Sequence, residues 1–500
     1  KLRKGNSMNL INKIITGLAL VLITLSLSNL SRADAHSDRL DKIESQVQDA
    51  LIKMKGLEKK TKDMPSIKSG PGLKIKKGKN EVKVGGRIHF DLGLHDPDPV
   101  LSCEVAQFEG GSCFTDGTNF RRLRLGVSGK YDNSYYYKVQ YDAGASAKQQ
   151  NITSSDSDAH NDIFSVDEAF LGYKLGKNTT VSIGKQKIPV SFAESTSSND
   201  LTFIERAPSV DIMTDHSIGP KRMSAQLRNW DKKMGYLIEA AVHGSGDVTP
   251  TESFDEQFGL TGRAVYAPIH EKKHVLHLGY WRDQTDTDGP MGDTSMEWDY
   301  RIGLNVSDEK PVDADIGSDL GDVQSMTHWG VELAYLNNNY WFATEWLWGE
   351  MERSINSGIK PQCTSVEANM GYWEAGYTIG GERRYTIKKG GWKRPKVKNP
   401  VNKGGMGVVE LGFRHNRSSL NDICNGYGSQ GAMYSNTFGL NWQLNNSNRI
   451  MFNYIIADLD AEAVDEITSL SPGSSALGIT NTEGGMAEVR ALGIRFQTNF

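Results

Sequence analysis

Arginine recurs in this sequence at every second position of segments whose composition favours extended backbone. Arg122 and Arg124 flank Leu123, Arg222 and Arg228 bracket Met223, Ala225 and Leu227, and Arg87, Arg263 and Arg495 sit in similar runs. A guanidinium keeps its charge at any physiological pH, and its planar fork can donate two parallel hydrogen bonds to an oxyanion. In a strand the period of two places these seven arginines on one face, together with Asp91, Asp142, Glu168 and Glu239. If such faces surround a narrow space of low dielectric, fixed arginines and lysines favour anions, phosphate among them. The competing reading is that each arginine pairs with a neighbouring carboxylate in the wall. Arg121 falls on the opposite parity, so it reaches the same space only if its strand twists or bulges.

Other constellations fare less well. His270-Glu271-Lys272-Lys273-His274 has the zinc-protease spacing, but it follows Pro268 in a tight turn, where two histidines four apart do not share a helix face. Gln284-Thr285-Asp286-Thr287-Asp288-Gly289 resembles a calcium loop but has Gln at its first position and Ser295 at its twelfth. Strand parity brings together no Ser/His/Asn set and no carboxylate pair, so the expectation is a non-enzyme with no cofactor and no metal. Arg383, Arg384, Lys388, Lys389, Lys393, Arg394, Lys396, Lys398 and Lys403 form a basic run that could draw anions, touch anionic lipid, or be a solvated turn.

The elements that must carry the arginines are strands. From about residue 80 to Phe500, segments of about ten residues alternate apolar with polar and are punctuated by Gly, Asn, Asp and Pro. A soluble sandwich would use shorter strands, whereas a transmembrane barrel needs strands of about 9 to 11 residues with an apolar lipid face and a polar lumen. Short turns recur at 131–134, 176–178, 231–233, 268–273, 337–339 and 445–447. Eight long connections lie between them, at 95–119, 144–165, 188–220, 243–257, 283–325, 350–369, 418–431 and 459–488. This predicts an all-β, antiparallel barrel of about sixteen strands with both ends on the periplasmic side, provided Glu297–Val306 folds within a loop. Tyr340-Trp341, Trp346, Trp348 and Tyr372-Trp373 suit interfacial girdles. Leu492, Ile494, Phe496 and Phe500 alternate like the signal read by the barrel assembly machinery, Thr498 departing from it.

Before the barrel, Lys1, Arg3, Lys4 and Lys13 precede the apolar Ile14–Leu27 and a small-x-small site at Ala33-Asp34-Ala35, which predicts a signal peptide over 1–35. The apolar run is too short to span a bilayer as a helix, which needs roughly 20 residues. Leu40, Ile43, Val47, Ala50, Met54 and Leu57 keep an a/d spacing, which predicts a periplasmic coiled coil over 37–62, followed by a linker over 63–80 and the barrel over 81–500. The whole chain has 57 basic and 61 acidic residues; removal of 1–35 leaves 52 against 60, so bulk charge excludes a nucleic-acid partner. Cys103 and Cys113 fall in one outer loop and Cys363 and Cys424 in two later ones, so pairing among the outer loops is expected in an oxidising compartment.

A set of motifs, in order, resembles the phosphate-selective porin O and P family of Gram-negative outer membranes. They are Val84-Gly85-Gly86-Arg87-Ile88, Phe120-Arg121-Arg122-Leu123-Arg124, Asp167-Glu168-Ala169-Phe170-Leu171-Gly172-Tyr173, Gly184-Lys185-Gln186-Lys187-Ile188-Pro189 and Ile204-Glu205-Arg206-Ala207-Pro208. Tyr266-Ala267-Pro268 with His277-Leu278-Gly279, and Tyr377 to Arg384, complete it. The resemblance implies a homotrimer of sixteen-stranded barrels in outer-membrane lipid and lipopolysaccharide, some members carrying an N-terminal coiled coil. It also implies passive passage of inorganic phosphate or related anions past adjacent arginines, here Arg121 and Arg122, and lysines near the third loop, here Lys185 and Lys187. Two rival expectations are a general or differently selective pore for carboxylates, sulfate or cations, and a structural barrel whose helix spaces the membrane from the cell wall.

Overall fold

The computed structural model describes residues 33–62, 64–101, 113–144, 165–215, 219–244, 258–286, 297–307, 309–315, 323–353, 365–420, 431–460 and 487–500. Among the described residues the first unit carries one helix, α1 (Ala33–Lys62), within which Ile43, Val47 and Met54 are exposed. A helix is thus present where a coiled coil is expected. Residues 1–32 of the expected signal peptide lie outside the described residues.

The second unit, Ile67–Phe500, is built from sixteen antiparallel strands. They are β1 (Asn80–Pro97), β2 (Gly117–Tyr131), β3 (Tyr135–Asp142), β4 (Ser165–Lys174), β5 (Thr179–Lys187), β6 (Lys221–Asp231), β7 (Tyr236–Gly244) and β8 (Phe258–His270). Then follow β9 (His274–Asp286), β10 (Val323–Asn337), β11 (Tyr340–Arg353), β12 (Ser365–Ile379), β13 (Val408–Ser419), β14 (Ala432–Gln443), β15 (Asn448–Leu459) and β16 (Ala487–Asn499). Each pairs with its neighbour in sequence, and β16 pairs with β1 from Val489↔Pro97 to Asn499↔Arg87, which closes the ring and leaves no open edge. The expected linker is partly strand: Gly72–Lys77 pairs with the start of β1, Leu73↔Val84 to Lys77↔Asn80, because Leu73 and Ile75 continue the alternation.

The period of two decides which side chains meet lipid. On β6, Arg222, Ser224 and Gln226 are buried inside while Met223 and Leu227 are exposed outside. Ile183 is 64% and Leu260 66% exposed on the same outer surface, where burial would come from acyl chains. Short turns close where Asp132, Asn133 and Asn338 adopt positive φ, a conformation their side chains tolerate. Tyr131, Tyr135 and Tyr173 cluster at one rim, as do Tyr340 and Tyr377. The girdle expectation needs one correction: Trp341 and Tyr372 follow the strand parity inward and are buried, while Tyr340, Trp346 and Trp373 face out.

Three connections turn into the barrel. The third outer loop carries α2 (Phe192–Ser195) and α3 (Pro208–Asp215). The fifth carries the hairpin Glu297–Tyr300/Val312–Asp315, which is separate from the wall, so the condition on which the count of sixteen strands depends is met. The third is the basic run between β12 and β13. Far from a solvated turn, it buries Ile387, Trp392 and Val397, and Tyr385 and Trp392 pack with Phe192 of the third loop and Trp341 of the wall. Its amides reach that loop as well: Trp392 N donates to Thr196 Oγ1 at 3.0 Å and Arg394 N to Asp200 Oδ1 at 3.3 Å.

Candidate functional site

The inward connections fill one side of the lumen and leave a cavity of about 660 Å³ against β1 to β7. Eleven basic and five acidic side chains line it. Among the residues expected to line a pore, Arg87, Arg121, Arg122, Arg124, Lys185, Lys187 and Arg228 all do so, and Arg222 and Arg263 do not.

Arg121 gets there by a bulge. Pairing of β1 with β2 runs from His89↔Arg122 directly to Phe90↔Phe120, so Arg121 is an extra residue and its side chain turns inward. Its Nε donates to Glu205 Oε1 at 3.1 Å. Arg122 is buried, lies 3.5 Å from the same oxygen, and its Nε and Nη1 make no hydrogen bond to any described residue. Arg495 completes the cluster from the last strand, donating to both oxygens of Asp91 at 2.6 Å and to Glu205. Across the cavity, Arg87 Nη1 donates to Ser198 Oγ at 2.7 Å, and Arg124 bridges Asp142 and Asp167. Lys187 pairs with Glu194 on α2, and Arg228 pairs with Glu239. Gly184, at φ +126°, stands where the strand carrying Lys185 and Lys187 departs from regular extension, a backbone region that favours glycine.

Arg222 and Arg263 point inward but are consumed by structure. Arg222 donates to Gly219 O at 3.1 Å and Thr285 Oγ1 at 2.9 Å and pairs with Asp283 at 3.3 Å. Arg263 is fully buried. Its Nε and Nη2 grip Glu332 at 2.8 and 2.7 Å, while Nη1 and Nη2 reach Ser195 Oγ, Lys389 O and Gly390 O at 2.8, 3.0 and 2.7 Å. It therefore ties the wall, the third loop and the basic connection together.

Sequence reasoning missed Lys138, Lys221 and Arg206, which also line the cavity, as does Lys389 of the basic run. Lys138 was available from the parity of Tyr136 and Gln140 on β3; Lys389 needed the inward path of its connection. Near it, burial against Trp230, with Arg228, Lys130 and Lys174 close by, pushes the Lys388 ammonium down to about 8. The third loop is held in place by Glu345 of β11, which accepts from Ser191 Oγ and the amides of Phe192 and Ala193 at 2.9–3.0 Å.

Of the other motifs, His270 ends β8 and His274 begins β9, so no helix unites them, and no metal-holding group of three or more His, Cys, Asp or Glu occurs among the described residues. Residues 287–296 of the calcium-like loop lie outside the described residues. Cys113 is disulfide-bonded, and Cys103, Cys363 and Cys424 lie outside the described residues.

A closed sixteen-strand barrel with an apolar exterior, a charged interior and inward-folded loops defines an outer-membrane porin. The family described as phosphate-selective porin O and P matches residues 82–474, and the chain belongs to it. It is 25% identical over 416 residues to Porin O of Pseudomonas aeruginosa, covering 79% of this chain and 87% of that protein. A protein of Caulobacter vibrioides, described as uncharacterized, is 26% identical over 389 residues, 76% of this chain and 69% of its own. The solved anion-selective porin from Comamonas acidovorans is 11% identical with a TM-score of 0.49, covering 84% of this chain and 100% of that one.

Proposed function

We propose that this porin is a passive, anion-selective channel whose cargo is phosphate or a related phosphate-bearing anion. The observation that carries the reading is the charge of the cavity: eleven basic against five acidic side chains, in a chain that is acidic as a whole. Fixed cations in a narrow, low-dielectric space lower the energy of an anion and raise that of a cation, and arginine adds a fork matched to phosphate oxygens. The family's description supports the cargo class. Nothing in this mechanism requires a covalent step. The anion exchanges water for guanidinium and ammonium donors, and moves on because adjacent donors offer similar partners.

The test is the zero-current potential of the reconstituted protein under a KCl gradient, repeated as phosphate is titrated in. An anion-side potential with chloride current blocked by phosphate is expected. A cation-side or zero potential without block would assign the channel to the differently selective porins.

We also propose that α1 pairs with its copies as a coiled coil in a homotrimer, supported by Ile43, Val47 and Met54 exposed at a/d spacing. Chemical cross-linking of the full chain in detergent should give trimers, and I43K/V47K should reduce them; dimers or monomers in the parent protein would refute the assembly.

A further inference from the structure

The arginines at the seam of the barrel already hold an anion, and it belongs to the protein. Arg121 and Arg122 come from β2 and Arg495 from β16, brought together because β1 lies between those strands. All three converge on Glu205, which the third loop supplies. Oε1 receives Arg121 Nε at 3.1 Å, stands 3.5 Å from Arg122 Nη1 and receives Arg495 Nη2 at 2.5 Å. Oε2 receives Arg121 Nη2 at 3.5 Å.

The loop has anchors here besides this carboxylate. The loop is pinned there by its backbone, since Arg414 Nη1 donates to Glu205 O at 2.9 Å and Arg495 Nη1 to Ile204 O. Arg495 also keeps both oxygens of Asp91. The donors, in turn, exceed what Glu205 can use: Arg122 Nε and Nη1 are buried without a hydrogen bond among the described residues. Arg121 and Arg122 also line the cavity, whereas Glu205 and Arg495, 1% and 0% exposed, do not, so the carboxylate draws these two donors away from an oxyanion in the cavity.

Resting on the anion-channel reading above, we propose that Glu205 is a tethered competitor for Arg121 and Arg122, and so sets how tightly a tetrahedral oxyanion such as inorganic phosphate is held in transit. A porin needs binding strong enough to select and weak enough to release. A resident carboxylate cancels one guanidinium charge and returns to the arginines as each cargo anion leaves. Release is thereby a swap of one anion for another, with no moment at which Arg121 and Arg122 stand without a counter-charge.

The test uses the full reconstituted chain. E205Q keeps the size and the acceptor oxygen but removes the charge. It should shift the zero-current potential under a KCl gradient further to the anion side. It should also lower the phosphate concentration that half-blocks chloride current by about tenfold, the worth of one charge-assisted hydrogen bond. An unchanged potential together with unchanged block, or weaker block, would overturn the proposal. If E205Q does not assemble, E205D is measured, which withdraws the charge by one methylene; a shift in the same direction supports the proposal and none overturns it. A parent channel with neither anion selectivity nor phosphate block would instead refute the function proposed above, whereas a selective, blockable parent insensitive to both variants would refute Glu205 alone.

Discussion

Replacing Arg122 with alanine should raise the phosphate concentration that half-blocks chloride current by about ten- to a hundredfold, the loss of one or two charge-assisted hydrogen bonds. The reason is the state of its donors. Most of the cavity's cations are committed: Arg124 to Asp142 and Asp167, Lys187 to Glu194, Arg228 to Glu239. Arg122 is buried beside Arg121 with Glu205 Oε1 no nearer than 3.5 Å and two nitrogens without a hydrogen bond among the described residues. A desolvated donor without an acceptor is costly to maintain, and a passing oxyanion relieves that cost. R122K keeps the charge and loses the fork, so it should fall between the parent and the alanine variant. Block by phosphate that is unaltered in R122A would show that the cargo does not touch the seam.

Arg263→Met should act on stability and conductance and spare phosphate binding. The substitution leaves Glu332 without its guanidinium in a fully buried position and releases Ser195, Lys389 and Gly390. Removing one partner of a buried pair costs about 3–5 kcal/mol, read as a lower urea midpoint for the folded barrel. With the clasp gone, the basic connection and the third loop are no longer held to each other at this point, and single-channel conductance should rise. R263M/E332Q should recover much of the stability, because the buried carboxylate is then neutral. A loss of phosphate block as large as that of R122A, without loss of stability, would place Arg263 among the cargo's ligands.

The contrast between these two arginines marks what the sequence could and could not reveal. Alternation placed both on the inner face, and the eight long connections and the strands between them were legible from the same period. Arg121's inward turn required a bulge, which its off-parity position announced. What separates Arg122 from Arg263 is the company each keeps, and that company comes from far along the chain: Gly390 is 127 residues from Arg263 and Glu205 is 290 from Arg495. No local pattern reports such pairings. The inward path of the basic connection did leave a trace, since Tyr385, Ile387, Trp392 and Val397 are apolar residues that a solvated turn has no use for. Trp341 and Tyr372 make the same point: a cluster of aromatics suits interfacial girdles by composition, although alternation sends every second one to the other side of the wall.

The seam carries one more implication, for the order in which the molecule comes into being. Arg495 lies on the last strand and reaches its partners Asp91 on the first strand and Glu205 on the third loop only when those strands zip together. Before that, Asp91 lacks the guanidinium that neutralises it, Glu205 lacks its third, and the ring is open. Sealing the wall and completing its arginine cluster are therefore one event, and the last stitch of the ring is also the last counter-charge.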